Sequence, residues 1–315
     1  MGERADQEAG SPRYDFDEID LDSGSVHADV VHLVEAGSRV LELGPATGYM
    51  SRVFSERGCA VVGIEFDAGM AERAAEFCER MIVGDLDALD LESELGDDRF
   101  DAIVAADVVE HLKDPLGVLK HLRRFLKKDG CFVISVPNAA HGSVRLALLS
   151  GHFEYRTRGL LDSTHLRFFT RETLERLLEE AELGLLELRR HDLSLDASEV
   201  EFDESALPAG LREGLEADPD ARTYQFVVKA IPMAAEEREA RRQQRSLADS
   251  NERPALRGEL DDLRAENLRL AVRLDRILAS PPVRVYTALR RLPGLRALQR
   301  RRKAGFEAEL ERRGH

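Results

Sequence analysis

The chain has 315 residues, 43% of them hydrophobic and 33% charged, with a formal net charge of −15. The apolar share can bury a sizeable core, and the charged share exceeds the usual quarter, which points to solvated or helical segments outside that core. An acidic balance excludes nucleic-acid binding over the whole surface, three scattered cysteines exclude a disulfide framework or a paired-cysteine zinc site, and no apolar run approaches the ~18 residues of a membrane span.

In chain order, residues 1–24 read as an acidic disordered segment with a Gly-Ser-Pro break. Residues 1–30 hold nine acids against Arg4 and Arg13. The first residues carry no apolar signal core, and with the cysteine usage this gives a cytoplasmic expectation. Residues 25–232 alternate strand-like and helix-like patterns. Strands are predicted at 39–43, 60–65, 81–83, 102–106, 131–136, 185–189 and 224–231. Several are short Val- and Ile-rich runs, as buried parallel strands require. Helices are predicted at 26–36, 47–57, 68–79, 116–127 and 171–182. This alternation predicts a doubly wound α/β fold with a mostly parallel seven-stranded sheet. The irregular stretch 138–170 is too long for an ordinary loop and reads as functional or partly helical.

The composition changes after Pro232. Residues 233–280 are rich in Glu, Arg, Ala and Leu. Leu256, Leu260, Leu263, Asn267, Leu270, Leu274 and Ile277 alternate spacings of four and three, an a/d register. An Asn at an a position favours a parallel two-stranded coil, so a homodimer through 256–277 is expected. One amphipathic helix packed back on the catalytic domain is the alternative. Pro281-Pro282 ends the helix. The basic helical tail 281–315 holds ten Lys or Arg against three Glu. It is either a solvated terminus or a peripheral contact for a synthase or an anionic membrane surface.

The most informative stretch is Val40-Leu41-Glu42-Leu43-Gly44-Pro45-Ala46-Thr47-Gly48. An apolar strand ends, a glycine turn follows and a helix begins, at the strand end where open α/β sheets bind ligands. The next strand, Ala60-Val61-Val62-Gly63-Ile64-Glu65, ends in an acid able to accept both hydroxyls of a ribose. A third leads to Gly84-Asp85-Leu86, whose acid can accept from an adenine amine. Glu42 would repel a phosphate and attract an ammonium. Adenosine at one end and a cationic amino acid at the other describe S-adenosylmethionine.

These residues, with Asp107-Val108-Val109-Glu110-His111 and the run Asp129-Gly130-Cys131-Phe132-Val133-Ile134-Ser135-Val136-Pro137-Asn138, resemble a class I S-adenosylmethionine-dependent methyltransferase. The branch is the one holding ubiquinone-biosynthesis O-methyltransferases and methyltransferases of polysaccharide clusters. The resemblance covers about residues 25–231 and implies a Rossmann-like methyltransferase fold. It implies cofactor contacts from Glu42, Gly44, Pro45, Ala46 and Gly48, from Glu65 and Phe66, from Asp85 and Leu86, and from Asp107. Pro45-Ala46-Thr47 departs from the pattern, because glycine or cysteine is common there.

Methyl transfer is an in-line displacement in which the enzyme mainly positions donor and acceptor. A hydroxyl acceptor must also lose a proton, most often to His. His165 is the first candidate base, with Asp162 as its orienting partner, and bracing of the loop is its alternative role. His111 is the second candidate. Asn138, His141 and Arg167 are candidate acceptor contacts, Arg167 for an anionic group. Asp107, Glu110 and His111 follow a spacing that holds a divalent metal in some ubiquinone-type enzymes and lines the pocket without metal in many others, so no metal is assigned. The expected reaction is O-methylation of a sugar hydroxyl of a glycan, glycolipid or nucleotide sugar. A quinone- or natural-product-type O- or N-methyltransferase is the alternative enzyme, and a cofactor-binding scaffold working through its coil is the alternative outside enzymes.

Overall fold

A computed structural model describes residues 19–208 and 210–234, together with 236 and 240. The predicted coil at 256–277 and the basic tail at 281–315 lie outside the described residues, as does most of the acidic N-terminal segment. Among the described residues no helix is long and apolar enough to cross a membrane.

All seven predicted strands form. In chain order the elements are α1 (Val26–Leu33), β1 (Arg39–Leu43), α2 (Tyr49–Glu56), β2 (Ala60–Glu65), α3 (Ala68–Ala74), β3 (Arg80–Val83), α4 (Leu91–Leu95), β4 (Phe100–Ala106), α5 (Pro115–Leu122), β5 (Leu126–Pro137), α6 (Gly142–Leu149), α7 (Arg171–Glu180), β6 (Leu183–Asp192), α8 (Leu211–Glu216), α9 (Pro219–Arg222) and β7 (Thr223–Pro232). The sheet order is β3-β2-β1-β4-β5-β7-β6. The first five strands run parallel, and β7 lies antiparallel between β5 and β6.

Both faces of this sheet are covered, which is why its strands read as continuous apolar runs. Side chains alternate between two cores, as the pleat requires. Leu41, Leu43, Ile64, Ile103, Phe132 and Phe226 face a core closed by α4, α5 and α7. Val40, Val61, Val104, Val133 and Val227 face the other, closed by α1 and α2.

Helix ends differ from the periodic reading for local reasons. Gly48 is left-handed at φ 83° and caps α2, so that helix starts two residues late. Val34 is extended and stops α1 at Leu33. The ends predicted for α3 and α5 are single tight turns at Ala75–Phe77 and Arg123–Phe125. The short helices α4, α6, α8 and α9 escaped the reading, since four to eight residues hold too few turns to show a period.

The stretch 138–170 is partly helical, through α6. A small third core of Val144, Ala147, Leu160, Leu161 and Val200 seats it. Two fully buried polar residues tie it to the sheet. Asn138 Nδ2 donates to Asp220 O and Thr223 O, both at 2.7 Å, and its Oδ1 accepts from Ala140 N at 2.9 Å. His141 reaches Ser143 Oγ at 2.8 Å and Leu193 O at 3.0 Å. Asn138→Ala would strand two buried carbonyls and one amide, at a cost on the order of 2–4 kcal/mol. Calorimetric unfolding should show a Tm lowered by roughly 5–10 °C; an unchanged Tm would mean those bonds do not hold the joint.

Candidate active site

The loop leaving β1 is shaped by backbone that few side chains tolerate. Gly44 sits at φ 61° and Gly48 at φ 83°. A Cβ on Gly48 would come within 2.7 Å of the Ala74 backbone, so only glycine fits. Ala46 also takes a positive φ, 51°, at a strain of about 1 kcal/mol. The departure at Pro45-Ala46-Thr47 thus keeps a glycine-like backbone shape without the glycine. Ala46 N donates to Glu65 Oε2 at 2.9 Å, tying the loop to the end of β2. Glu65 Oε1 accepts from Asp67 N, also at 2.9 Å.

The loops at the carboxyl ends of β1 to β4 open into a cavity of about 640 Å³, within the usual range for a small-molecule site. Of the residues singled out in the sequence, Gly44, Ala46, Glu65, Phe66, Asp85, Leu86, Asp107, His111, Asp162 and His165 line it. Phe66 stands on the rim, 74% exposed. Asp85 Oδ1 accepts from Asp87 N at 3.0 Å, and Lys113 Nζ lies 3.4 Å from its other oxygen. Asp107 has a positive φ of 54°. Its Oδ1 accepts from Ser135 Oγ at 2.9 Å and from Gln225 Nε2.

Glu42, Pro45 and Gly48 lie behind the cavity wall and do not line it. Glu42 points into the valine-lined core, fully buried. Ser51 Oγ donates to its Oε2 at 2.6 Å, and Oε1 has no hydrogen-bond partner. Burial, reinforced by the nearby Glu65 charge, raises its pKa to about 7, against the Ser51 bond, which favours the anion.

Asn138, His141 and Arg167 also stay outside the cavity lining. The first two are spent on the joint described above. The Arg167 guanidinium clamps Leu166 O and Lys113 O. The sequence reading missed His27, Tyr49, Tyr224 and Gln225, which reach the cavity from α1, α2 and β7. Tyr49 Oη and His27 Nε2 are 3.3 Å apart, and burial lowers the His27 pKa. No spacing signal could have found them, because they come from segments far apart in the chain.

Beyond β4 a tight turn at Val109–His111 meets the 162–167 segment. The Glu110 carbonyl accepts from Leu166 N and Arg167 N at 2.8 and 2.9 Å. His111 Nδ1 is 3.1 Å from Thr164 O. A carbonyl only accepts, so Nδ1 carries the proton and Nε2 is the basic nitrogen of the neutral ring. The rings of His111 and His165 meet edge-on with centroids 4.9 Å apart. Asp162 caps its own turn, accepting from Thr164 N and Oγ1 at 2.8 and 2.7 Å, and His165 N donates to its carbonyl.

Glu110 is 1% exposed, and both its carboxyl oxygens lack a hydrogen-bond partner. Burial, then the nearby Asp107 charge, pushes its pKa well above the carboxylate range. Glu110, His111 and His165 offer ligand atoms within 4.8 Å of one another. This donor set differs from the one the spacing suggested: Asp107 is engaged by Ser135 and Gln225, and His165 takes its place.

A sheet of this order, with a glycine loop after β1 and acids after β2 and β3, defines a class I methyltransferase that uses S-adenosylmethionine. A family model described as a methyltransferase domain matches residues 21–188, and the chain belongs to that family. A ubiquinone biosynthesis O-methyltransferase of Rhodopseudomonas palustris is 30% identical over 158 residues, 48% of this chain and 60% of that one. A phosphatidylethanolamine N-methyltransferase of Cereibacter sphaeroides is 34% identical over 125 residues, 38% of this chain and 61% of that one. Each match therefore spans about three fifths of the relative's length. Among solved structures, an S-adenosylmethionine-dependent methyltransferase from Mesorhizobium loti is 16% identical, with a TM-score of 0.45 over 67% of this chain and 99% of that one.

The Glu42 geometry has a pH consequence. In the fold this carboxyl keeps its proton up to about pH 7, whereas the unfolded chain releases it near the ordinary glutamate value of 4.5. Its contribution is therefore fully present below the unfolded value and lost as pH rises through 7. Glu42→Gln mimics the protonated form. Denaturant titrations should find the variant more stable than wild type at pH 8, by about 3 kcal/mol at most, with the gain vanishing at pH 4. A gain that does not depend on pH would argue against a protonated Glu42.

Proposed function

We propose that this chain transfers the methyl group of S-adenosylmethionine to a hydroxyl oxygen of a small-molecule acceptor. The observation that carries the reading is the His111–His165 pair on the wall of the cavity that the glycine loop opens. The backbone of Gly44 and Ala46 leaves room for the methionine moiety. Glu65 retains lone pairs for the ribose hydroxyls, and Asp85 with Leu86 frames the adenine. S-adenosylmethionine, when bound, would supply an activated methyl group whose leaving group is a neutral thioether.

As the acceptor oxygen bonds to that carbon, its proton must go to a base. His165 takes it, and His111 holds the oxygen in line. Their neighbour Glu110, whose burial favours the protonated carboxyl, can donate to or accept from the acceptor. If a divalent ion binds, Glu110, His111 and His165 would hold it and would lower the acceptor's pKa instead. The relatives named for quinone O-methylation and for lipid N-methylation support a small-molecule acceptor. Neither of the two is named for a sugar hydroxyl, the acceptor the sequence suggested.

The test uses labelled donor with a panel of phenols, catechols and free or nucleotide-linked sugars. His165→Ala should lower turnover by roughly 10²–10⁴-fold, the range for a positioned base, while donor affinity by calorimetry stays within about twofold. His111→Ala should raise KM more than it lowers kcat. Activity that survives both substitutions within a few-fold would remove histidine from proton transfer. Loss with chelator and recovery with Mg²⁺ would reassign the histidines to metal ligation.

A further inference from the structure

We propose that Arg158 is the anion receptor of the acceptor site and selects acceptors that carry a carboxylate or a phosphate. This rests on the reading of the His111–His165 side as the acceptor end.

Arg158 sits in a tight loop that the backbone fixes. Arg156 N donates to Leu161 O at 2.8 Å, Ser163 N to Arg156 O at 2.9 Å and Asp162 N to Gly159 O at 3.2 Å. Gly159 has φ 92°, and a Cβ there would collide with Glu199. The same Glu199 accepts from Leu160 N at 2.6 Å and from the Tyr224 hydroxyl at 2.9 Å. The residue before Gly159 is thus anchored to β7 and lines the cavity beside Asp162, Thr164 and His165.

Two cations line that cavity among the described residues, Lys113 and Arg158. Lys113 is paired with Asp85, and the adjacent Arg156 with Glu201. The Arg158 guanidinium has no carboxylate or carbonyl partner among the described residues, in a chain with 60 acids to offer one. Most cavity acids are engaged elsewhere: Glu65 and Asp87 accept backbone N–H groups, Asp85 pairs with Lys113, Asp107 holds Ser135 and Gln225, and Asp162 holds Thr164, while the buried Glu110 carboxyl has no hydrogen-bond partner, the Arg158 guanidinium included. A planar fork of five donors, fixed at the backbone and unspent, matches an oxyanion in bidentate geometry. Arg167, the arginine the sequence favoured for this task, is committed to main-chain carbonyls.

Wild type, Arg158→Ala and Arg158→Lys, each saturated with S-adenosylhomocysteine, are titrated calorimetrically with 4-hydroxyphenylacetate, its neutral amide and 4-hydroxyphenyl phosphate. Wild type should bind at least one anion ten or more times tighter than the amide. Arg158→Ala should erase that preference while leaving amide and S-adenosylhomocysteine affinities within twofold, and Arg158→Lys should restore only part of it, lacking the fork. The tighter of the two anions identifies the acceptor's group as carboxylate or phosphate. Equal binding of anion and amide by wild type, no binding of either anion, or a preference that survives Arg158→Ala would overturn the proposal. An intact anion preference in a protein that transfers no methyl group would instead sink only the proposed reaction.

Discussion

The site exists because β1 and β4 lie side by side while the chain leaves them in opposite directions. From β1 it passes to β2 and β3, and from β4 to β5 and β7. Where strand order reverses, the loops after neighbouring strands diverge and leave a crevice. They stay close here, for a Cβ on Gly44 would lie 3.0 Å from the Val108 side chain. The glycine loop and the turn carrying Glu110 and His111 are therefore the two lips of one opening. Asp107 accepts a positive φ to make its turn at this point, and Ser135 and Gln225 hold its carboxylate in place from β5 and β7. Backbone strain of this kind persists where surrounding bonds over-determine it.

The acids divide along the crevice according to how they are satisfied. Glu65, Asp85 and Asp87 take backbone N–H groups, and each keeps lone pairs for a ligand. Fixed carboxylates of this sort orient hydroxyl and amino groups without having to reorganise. Glu42 behaves differently. It shares a sheet face with Val40, inside a core where its charged form is costly. Its Ser51 bond ties β1 to α2 behind the loop without lining the opening.

Much of this was legible in the sequence, and the part that was not has a physical explanation. The strands were readable because burial on both faces leaves unbroken Val and Ile runs, as in β2 and β4. Residues at or just beyond a strand end, such as Gly44, Glu65, Asp85 and Asp107, reach the cavity as read, since the strand end fixes their position. The reading failed where position depends on side-chain direction. Glu42 is one residue from the strand's end, and the pleat turns it into the core. Asn138 and His141 are polar residues of a long loop, and they serve the hydrogen bonds that such a loop needs once buried. His27, Tyr224 and Gln225 belong to elements that only the folded topology brings over the crevice.

The wall of the cavity beyond β4 is held together by main chain. Thr164 O holds His111, and Glu110 O holds Leu166 and Arg167. These bonds do not need the Glu110 side chain, so removing it would leave the join between the two segments intact. Yet that carboxyl is buried with no partner for either oxygen, a state that costs on the order of 1–3 kcal/mol. No bond within the described residues accounts for that carboxyl. Liabilities of this kind collect where a ligand will supply the missing partner. The unspent carboxyl and the two imidazoles beside it thus form one cluster of ligand-capable groups on the cavity wall, while the strand ends position the glycine loop and the acids of the same cavity independently of them.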